Sequence, residues 1–365
     1  MALAAGPGES VGAEEPARLD DPFPVRNQLP LGLPFLEEPP RSAFLVAPGI
    51  AEASLGLAYE TTLSASDSLV DLYREDDFAT YDGLVTQEIL EGVAAGSPSD
   101  SAYYLDGETL RAVLGGRLGL MNHLEIDFEI PLLMHTRGFL DSPIDSYHAW
   151  FGFPDGGRTA FARDQYVVGY SDAGRTVFLE DSPPGLRLGD LVVSGRVGLL
   201  KEATGRSALA ASLAAKLPTG SIERFDGSGH ADFALGLQAS WRFERATLHA
   251  GGGFSRLGTW SLEPGFEMGD RGSLFLTWSY RATPLSGIVV QLLGGAGPFP
   301  RRDDGSLGRP ALEIAAGMRH AGGASWTIEW ALLENLTRDL NVPDFGLFFG
   351  ISRRFAWRKG AVAGT

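Results

Sequence analysis

Three acidic side chains alternate with large apolar ones in the segment LEIDFEIPLLMH at residues 124–135. Glu125, Asp127 and Glu129 occupy every second position, so an extended chain places their carboxylates on one face. Carboxylates grouped in this way could act as a general acid and base. Arg111 and Arg117 in the preceding segment carry the opposite charge and favour ion pairs instead. The row therefore favours a charged lining or a set of structural ion pairs over an acid–base site.

Other charged residues occupy the equivalent face of further alternating segments. If these segments are strands with their apolar faces outward, the charged residues line an interior. In a small barrel such charges usually pair across strands and fill the interior, yet they can also form a constriction that selects solutes. The predicted lumen-lining set is Arg111, Arg117, Glu125, Asp127, Glu129, Asp190, Arg196, Lys216, Asp232, Arg242, Glu313, Arg319, Glu329 and Arg354.

One stretch of the sequence could support hydrolytic chemistry. His148 lies two residues after Ser146, and Asp141 and Asp145 come shortly before them, which are the residue types of a Ser–His–acid set. A hydrolytic enzyme, such as one that modifies lipids, is therefore one alternative function. The histidines show no HExxH spacing, and the chain has no cysteine. We predict no catalytic residue, no metal and no cofactor.

The elements that must position these side chains are β-strands. Alternation with a period of two recurs in about twelve segments of roughly ten residues, and their connections are alternately short and long, as in outer-membrane barrels. The sequence thus predicts an all-β fold, a closed antiparallel transmembrane β-barrel of about twelve strands; a soluble all-β domain is the alternative. The segments are residues 51–60, 110–120, 124–135, 191–199, 208–217, 231–242, 247–257, 274–280, 287–296, 312–319, 326–332 and 345–354.

Composition excludes several other classes of protein. Lys and Arg number 30 against 46 Asp and Glu, a net charge of −16, which argues against a nucleic-acid partner. No apolar run approaches the roughly 18 residues of a membrane helix. A membrane barrel stays consistent with both facts, because its strands turn only every second residue toward lipid.

The first and last segments predict how the barrel closes. Glu52 and Arg354 lie at the same end of these strands and both belong to the inner face. If they are opposite each other, Ser54 meets Ser352 on the inner face and Leu57 meets Phe349 on the outer face, so the pairs match in character. A shift by one residue would turn Glu52 toward lipid, and a register shifted by two residues is the alternative.

The N-terminal region differs in composition from the rest. We predict an N-terminal periplasmic extension at residues 1–49, a barrel at 50–355 and a tail at 356–365. Prolines exclude residues 23–35 from a membrane strand, but their apolar character favours a plug in the lumen, with Arg26, Asn27 and Gln28 meeting lumen carboxylates. A periplasmic linker is the alternative. Residues 1–6 resemble the end of a secretory signal, so we expect a truncated start of an exported protein.

Six motifs resemble an uncharacterised bacterial outer-membrane β-barrel family, a domain of unknown function. They are FPVRNQLPL at 23–31, YLDGETLR at 104–111, RGFLDSPIDSYHAWFGFPDGGR at 137–158, KLPTG at 216–220, GSGHADFALGL at 227–237 and VPDFGLFFGISRRF at 342–355. KLPTG is also similar to outer-membrane proteins of the phenol meta-pathway type. Chains of such barrels commonly stop at a terminal Phe, whereas here residues 356–365 follow Phe355.

The resemblance implies a channel or transporter for small solutes in the bacterial outer membrane, with apolar or aromatic compounds as candidate solutes. It implies as partners outer-membrane lipid and lipopolysaccharide, the barrel assembly machinery and a small-molecule solute. A structural or adhesive barrel is a further alternative beside the lipid enzyme. The family brings no established residue roles.

Overall fold

The computed structural model describes residues 17–74, 82–152, 158–172, 174–180, 185–258, 268–297, 305–323, 325–337 and 341–358. In chain order the strands are β1 Ile50–Ala65, β2 Ser101–Met121, β3 Leu124–Thr136, β4 Val167–Asp172, β5 Arg175–Glu180, β6 Arg187–Leu188, β7 Leu191–Lys201, β8 Ser207–Leu217, β9 Asp232–Arg242, β10 Ala246–Arg256, β11 Arg271–Thr283, β12 Ser286–Gly295, β13 Ala311–Ala321, β14 Trp326–Asn335 and β15 Phe345–Ala356. All except β4, β5 and β6 form a closed antiparallel barrel of twelve strands. The predicted fold class is confirmed.

The alternation of each wall strand sorts its side chains between two environments. On β3, Glu125 and Asp127 are buried inside the barrel, whereas the next residue, Phe128, is 41% exposed on the outer face. Large apolar side chains are exposed on this outer face around the barrel, among them Leu235, Leu274 and Trp330. A face of this kind would be unstable in water and suits a lipid environment.

The barrel closes as the end segments predict. β1 pairs antiparallel with β15, with Glu52 opposite Arg354, Ser54 opposite Ser352 and Leu57 opposite Phe349. The predicted register is confirmed along the whole pairing. The side-chain period excludes a shift by one residue, and the pairing of Glu52 with Arg354 distinguishes this register from one shifted by two.

The two ends of the barrel differ. Short turns join the strands at one end, which we call the turn end; they include residues 122–123 and 284–285. Long connections lie at the opposite end, the loop end. Outer-membrane barrels have short periplasmic turns and longer extracellular loops, and this chain has the same asymmetry.

The two longest connections contain structure that the sequence analysis treated as loop. They hold α1 Asp67–Arg74, α2 Gln87–Gly96 and α3 Asp141–Phe151, the hairpin β4–β5 and the short β6, and β2 begins at Ser101 rather than near 110. The helices α1 and α2 and the hairpin β4–β5 pack on a separate apolar cluster at the loop end, whose members include Leu69 of α1, Leu90 of α2 and Tyr104 of β2. Among the described residues, no helix is long and apolar enough to cross a membrane.

Residues 18–46 lie inside the barrel, and we call them the luminal segment. The segment starts at the turn end, where Asp20 contacts Arg242, and reaches the loop end, where Arg271 Nη1 donates to Gly32 O over 3.0 Å. It then returns to the turn end and enters β1 through Gly49, which has a φ of 77° and donates its N–H to Gly119 O. The sequence before residue 17 and after residue 358 lies outside the described residues.

Candidate functional site

Two stretches of the inner wall contact the luminal segment with different chemistry. We call the inner faces of β15, β1, β2, β3 and β7 the charged wall. The middle of the inner faces of β9, β10, β11 and β12 carries uncharged polar groups, and we call it the neutral wall. Its members are Gln238, Ser240, His249, Thr277, Ser279 and Gln291, all buried.

The acidic row of β3 faces inward on the charged wall and is engaged in ion pairs. Arg196 Nη1 lies 2.6 Å from Glu125 Oε1, and Arg117 Nη2 lies 3.1 Å from the same oxygen. Arg117 Nε is also 3.5 Å from Asp127 Oδ1. These carboxylates are neutralised by cations on adjacent strands, which is the arrangement of a packed charged interior.

An arginine of the luminal segment completes this row. Arg41 Nη1 lies 2.5 Å from Asp127 Oδ2, and Arg41 Nη2 lies 2.9 Å from Glu129 Oε1. Arg111 Nη2 approaches the other oxygen of Glu129 at 3.4 Å. Sequence analysis missed Arg41, because a single arginine after Pro39 and Pro40 carries no sign of its partner. The predicted lumen residues of the strands carry equal numbers of positive and negative charges, so no excess of carboxylate indicated a missing arginine.

The turn end of the charged wall holds a second set of ion pairs. Arg354 Nε lies 2.6 Å from Glu52 Oε2, and Arg117 Nη1 lies 3.4 Å from Glu52 Oε1. Asp21 of the luminal segment contributes the remaining carboxylate, with Oδ2 3.5 Å from Arg354 Nη2. The cross-strand pair at the barrel seam thus continues into the segment.

Three more of the predicted lumen residues lie on β13 and β14, beside the charged wall. Arg319 Nη2 is 2.5 Å from Glu329 Oε2 and donates to Pro22 O of the luminal segment over 2.6 Å. Glu313 is buried on the inner face, opposite Leu293 of β12.

A buried lysine organises the KLPTG and GSGHAD motifs. Lys216 is 2% exposed and contacts Asp190, Asp232 at 3.3 Å and the Ser228 hydroxyl at 2.6 Å. Asp232 in turn accepts from the Leu36 N–H of the luminal segment over 2.9 Å. The cluster therefore connects two loop-end motifs to the segment, and no part of it lines the cavities described below.

Asp190 faces this cluster because it has the parity of the inner face. It lies two and three alternations before Ser194 and Arg196, which are buried inside the barrel. The Asp190 carboxylate accepts from the Gly220 N–H over 2.8 Å.

The neutral wall holds the backbone of the luminal segment by direct hydrogen bonds. Gln291 Oε1 accepts from Phe23 N over 3.0 Å, and Gln291 Nε2 donates to Phe23 O over 3.1 Å. Ser279 donates to Asp20 O over 2.9 Å, and Ser240 accepts from Ala43 N over 2.8 Å. These side chains replace a neighbouring strand, so a proline-rich chain is held without a ladder. Sequence analysis did not assign these side chains a role, although the alternation places another residue of the neutral wall, Gln238, on the inner face.

Three neighbouring cavities lie between the luminal segment and the charged wall. Their volumes are about 110, 70 and 20 Å³, and all three are bounded by Glu129. Ser54 and Gly115 line the two larger cavities, and Ser352 lines the largest. Space is left on this side because the wall side chains between the ion pairs are small. We call this run of cavities the gap.

The loop end is closed above the gap by apolar side chains. Leu29, Leu31 and Phe35 of the luminal segment pack in one buried cluster with Tyr103, Tyr166, Phe225 and Leu307. Burial raises the pKa of Tyr166 above its ordinary value, so its hydroxyl stays protonated. The cluster forms an apolar seal across this end of the lumen.

The three residues predicted to meet lumen carboxylates behave differently from one another. Gln28 donates to Glu60 of β1, which was not among the predicted lumen residues. Asn27 makes a side-chain hydrogen bond to Glu313, a predicted lumen carboxylate, and its Nδ2 also donates to Asn341 O over 3.3 Å. Arg26 lies 3.9 Å from Glu37 of its own segment and donates to Phe35 O over 2.8 Å. Arg26 braces the turn of the segment because the chain doubles back, which the local pattern does not show.

The hydrolytic candidate is not assembled among the described side chains. Ser146 donates to Ser142 O within α3, and Asp141 lies 2.5 Å from Arg158. Asp145 lies 2.6 Å from Arg163. The side chain of His148 lies outside the described set. Both acids pair with arginines that fasten the loop-end structure.

A family model described as "Protein of unknown function (DUF3187)" matches residues 93–355. The chain belongs to this family. The match includes five of the six motifs and confirms the resemblance, while the luminal segment and β1 precede the matched region. No curated protein matches the chain significantly.

Several solved outer-membrane channels and transporters are similar in structure. The NanC porin has 8% identity and a TM-score of 0.41, with 67% of this chain and 93% of that chain covered. The CymD monoaromatic hydrocarbon channel has 9% identity and a TM-score of 0.39, with 95% of each covered. The Pseudomonas putida toluene transporter TodX has 12% identity and a TM-score of 0.38, with 87% and 94% covered.

Proposed function

We propose that this protein is an outer-membrane channel that passes small polar solutes along the gap between the luminal segment and the charged wall. The gap itself carries the proposal. Three neighbouring cavities lined by charged and small side chains lie inside an outer-membrane-type barrel, beside the luminal segment. If the luminal segment served only to fill the lumen, we would expect it to pack against the ion pairs without cavities.

The gap is long enough to be a large part of a membrane crossing. Arg111 and Arg117 are six positions apart on β2 and line different cavities. At a rise of about 3.4 Å per residue they lie about 20 Å apart along the strand, which a strand tilt of about 40° reduces to about 15 Å along the membrane normal, against a hydrocarbon core of roughly 30 Å. With the long loops outside, the apolar seal separates the gap from the exterior. Passage then requires the turn at Leu29–Phe35 to separate from Tyr103 and its neighbours.

The lining favours polar solutes over the apolar or aromatic compounds that the family resemblance suggested. Arginines and carboxylates border all three cavities. An apolar solute would displace water from these charges and offer no hydrogen bond in return. We propose outer-membrane lipid and lipopolysaccharide as partners of the outer face. The barrel assembly machinery is the proposed partner in folding.

A purely structural barrel is the second candidate. The observation that favours it is the dense bonding of the luminal segment, from Asp20 at Arg242 to Val46 at Glu125. In this case the gap would hold only water.

Single-channel recording in a planar bilayer separates the two candidates. We expect the purified full-length chain to give small discrete conductance steps, because ions must follow the narrow gap and can leave it only while the loop-end turn is separated. A folded barrel that inserts and gives no conductance would exclude the channel and leave the structural barrel. Folding is checked by the heat-dependent shift of a barrel in SDS electrophoresis.

A further inference from the structure

The fixed charges around the gap are balanced in number and close together. The largest cavity is bordered by five arginines and five acids, and the two smaller ones add two of each. Glu129 illustrates the arrangement, since its two oxygens face Arg41 at 2.9 Å and Arg111 at 3.4 Å. A lining of this kind has local charge of both signs and no net charge.

We infer that the gap selects compact zwitterions, solutes that carry a cationic amine and a carboxylate a few ångströms apart; this rests on the proposed channel function. A zwitterion can insert between the arginine and the carboxylate of an ion pair and supply each of them with a new partner. Its carboxylate meets the guanidinium, and its ammonium meets the freed carboxylate. An ion of one sign satisfies one half of the pair and repels the other.

Two buried carboxylate oxygens point to a ligand that donates hydrogen bonds. Asp21 is 7% exposed and Asp127 is 1% exposed, and both border the largest cavity. Among the described residues, Asp21 Oδ1 and Asp127 Oδ1 accept no hydrogen bond, with Arg117 Nε at 3.5 Å from Asp127 Oδ1. The ammonium group of a solute could donate to either oxygen, while the guanidinium groups nearby hold its carboxylate end.

The small side chains set the size of the solute. Ser54 and Gly115 face each other across β1 and β2, and Ser352 lies opposite Ser54 on β15. A Cβ on Gly115 would lie 2.4 Å from Ser54 Oγ, so even a methyl group would narrow the gap here. The largest of the three cavities, about 110 Å³, corresponds to about four waters at roughly 30 Å³ each and suits a solute of a few heavy atoms.

Uptake of four matched solutes into proteoliposomes that hold the full-length chain tests the inference. The probes are 4-aminobutyrate, butyrate, butylammonium and butyramide, which share a four-carbon skeleton and differ in charge. We expect 4-aminobutyrate to enter at least fivefold faster than each of the other three. Equal or faster entry of butyramide or of either ion would overturn the inference while leaving the channel in place. No entry of any solute, together with no conductance, would overturn the channel as well.

Two variants test the charge balance directly. Glu129→Gln leaves Arg41 and Arg111 in excess, and we expect it to make butyrate the preferred solute. Arg111→Gln leaves an excess of carboxylate, and butylammonium should become preferred. The control is Glu202→Gln, an exposed residue after β7 and away from the gap, which should keep the preference for 4-aminobutyrate. If Glu129→Gln and Arg111→Gln fold and both keep that preference, the lining does not select by charge and the inference is wrong.

Discussion

The neutral wall and the charged wall hold the same segment by opposite means. On the neutral wall, Gln291, Ser279 and Ser240 bond directly to the segment's backbone. On the charged wall, Glu125 and Arg196 also bond to the segment's backbone near its C-terminal end. Elsewhere on this wall the contacts are ion pairs of long side chains, such as Arg41 of the segment with Asp127, and cavities lie between them. Short polar side chains therefore bring the segment close, whereas ion pairs between long side chains hold it at a distance.

This difference assigns a task to each wall. A hydrogen bond from a short side chain to the backbone fixes position and excludes water, because both groups would be unsatisfied if the segment moved. Ion pairs of arginine tolerate changes of geometry, since the guanidinium offers several donors to a carboxylate. The neutral wall is thus the anchor of the segment, and the charged wall is the side on which a solute could pass.

Deletion of residues 2–40 should have the largest effect, because it removes most of the luminal segment from both walls. We expect single-channel conductance to rise several-fold. Arg41 and Ser42 would remain, so the contacts of Asp127 and Arg196 to the segment are kept. Deletion of residues 2–16 is the matched control, since it removes none of the described contacts. Unchanged conductance in a folded barrel that lacks residues 2–40 would show that the segment does not obstruct the lumen.

Arg196→Met should be the most destabilising single change on the charged wall. Arg196 is fully buried, and the variant leaves Glu125 with Arg117 as its remaining arginine partner and Ser42 O without its donor. We expect a loss of about 3 kcal/mol in the free energy of unfolding, at the lower end for a broken buried pair, because Arg117 stays in place. Urea unfolding of the refolded protein measures it. Arg163→Met, whose side chain is 56% exposed and pairs with Asp145, should change little.

Gln291→Leu tests the neutral wall at a smaller scale. The variant leaves the N–H and the carbonyl of Phe23 buried without partners, and Thr277 loses its acceptor. We expect a loss of about 1–3 kcal/mol by the same urea measurement. Gln87→Leu replaces an exposed glutamine of α2 and serves as the control. Equal stability of Gln291→Leu and the original chain would mean that the segment is not anchored on this wall.

The barrel could be predicted from sequence because its rule is local. Every wall strand repeats the same two-residue period, and the pairing of β1 with β15 follows from matching polar residues such as Glu52 and Arg354. The inward direction of the charged residues follows from the same period. Their partners on adjacent strands, such as Arg117 for Glu125, could be inferred for that reason.

The path of the luminal segment could not be predicted, because it has no period. Its prolines and apolar residues indicate that it is buried, yet the partners of Arg26 and Arg41 depend on where the chain reverses. The loop-end helices were missed for a different reason. The segment QEILEGVAAG after Thr86 carries an N-cap and helix-forming residues, but the barrel pattern made the whole connection look like loop.

A thiol introduced on each wall gives the mildest test of the difference between them. The chain has no cysteine, so Ser54→Cys on the charged wall and Ser240→Cys on the neutral wall each place a single thiol in the lumen. Ser54 lines two cavities, whereas Ser240 is fully buried against Ala43. A small cationic thiol reagent should therefore modify Ser54→Cys quickly and reduce its conductance in part, and should modify Ser240→Cys at least tenfold more slowly. The paired serines make the two variants chemically alike, so the ratio of rates reports access alone. Similar rates at both positions would show that water and small solutes reach the neutral wall as readily, and the division of tasks between the walls would be wrong.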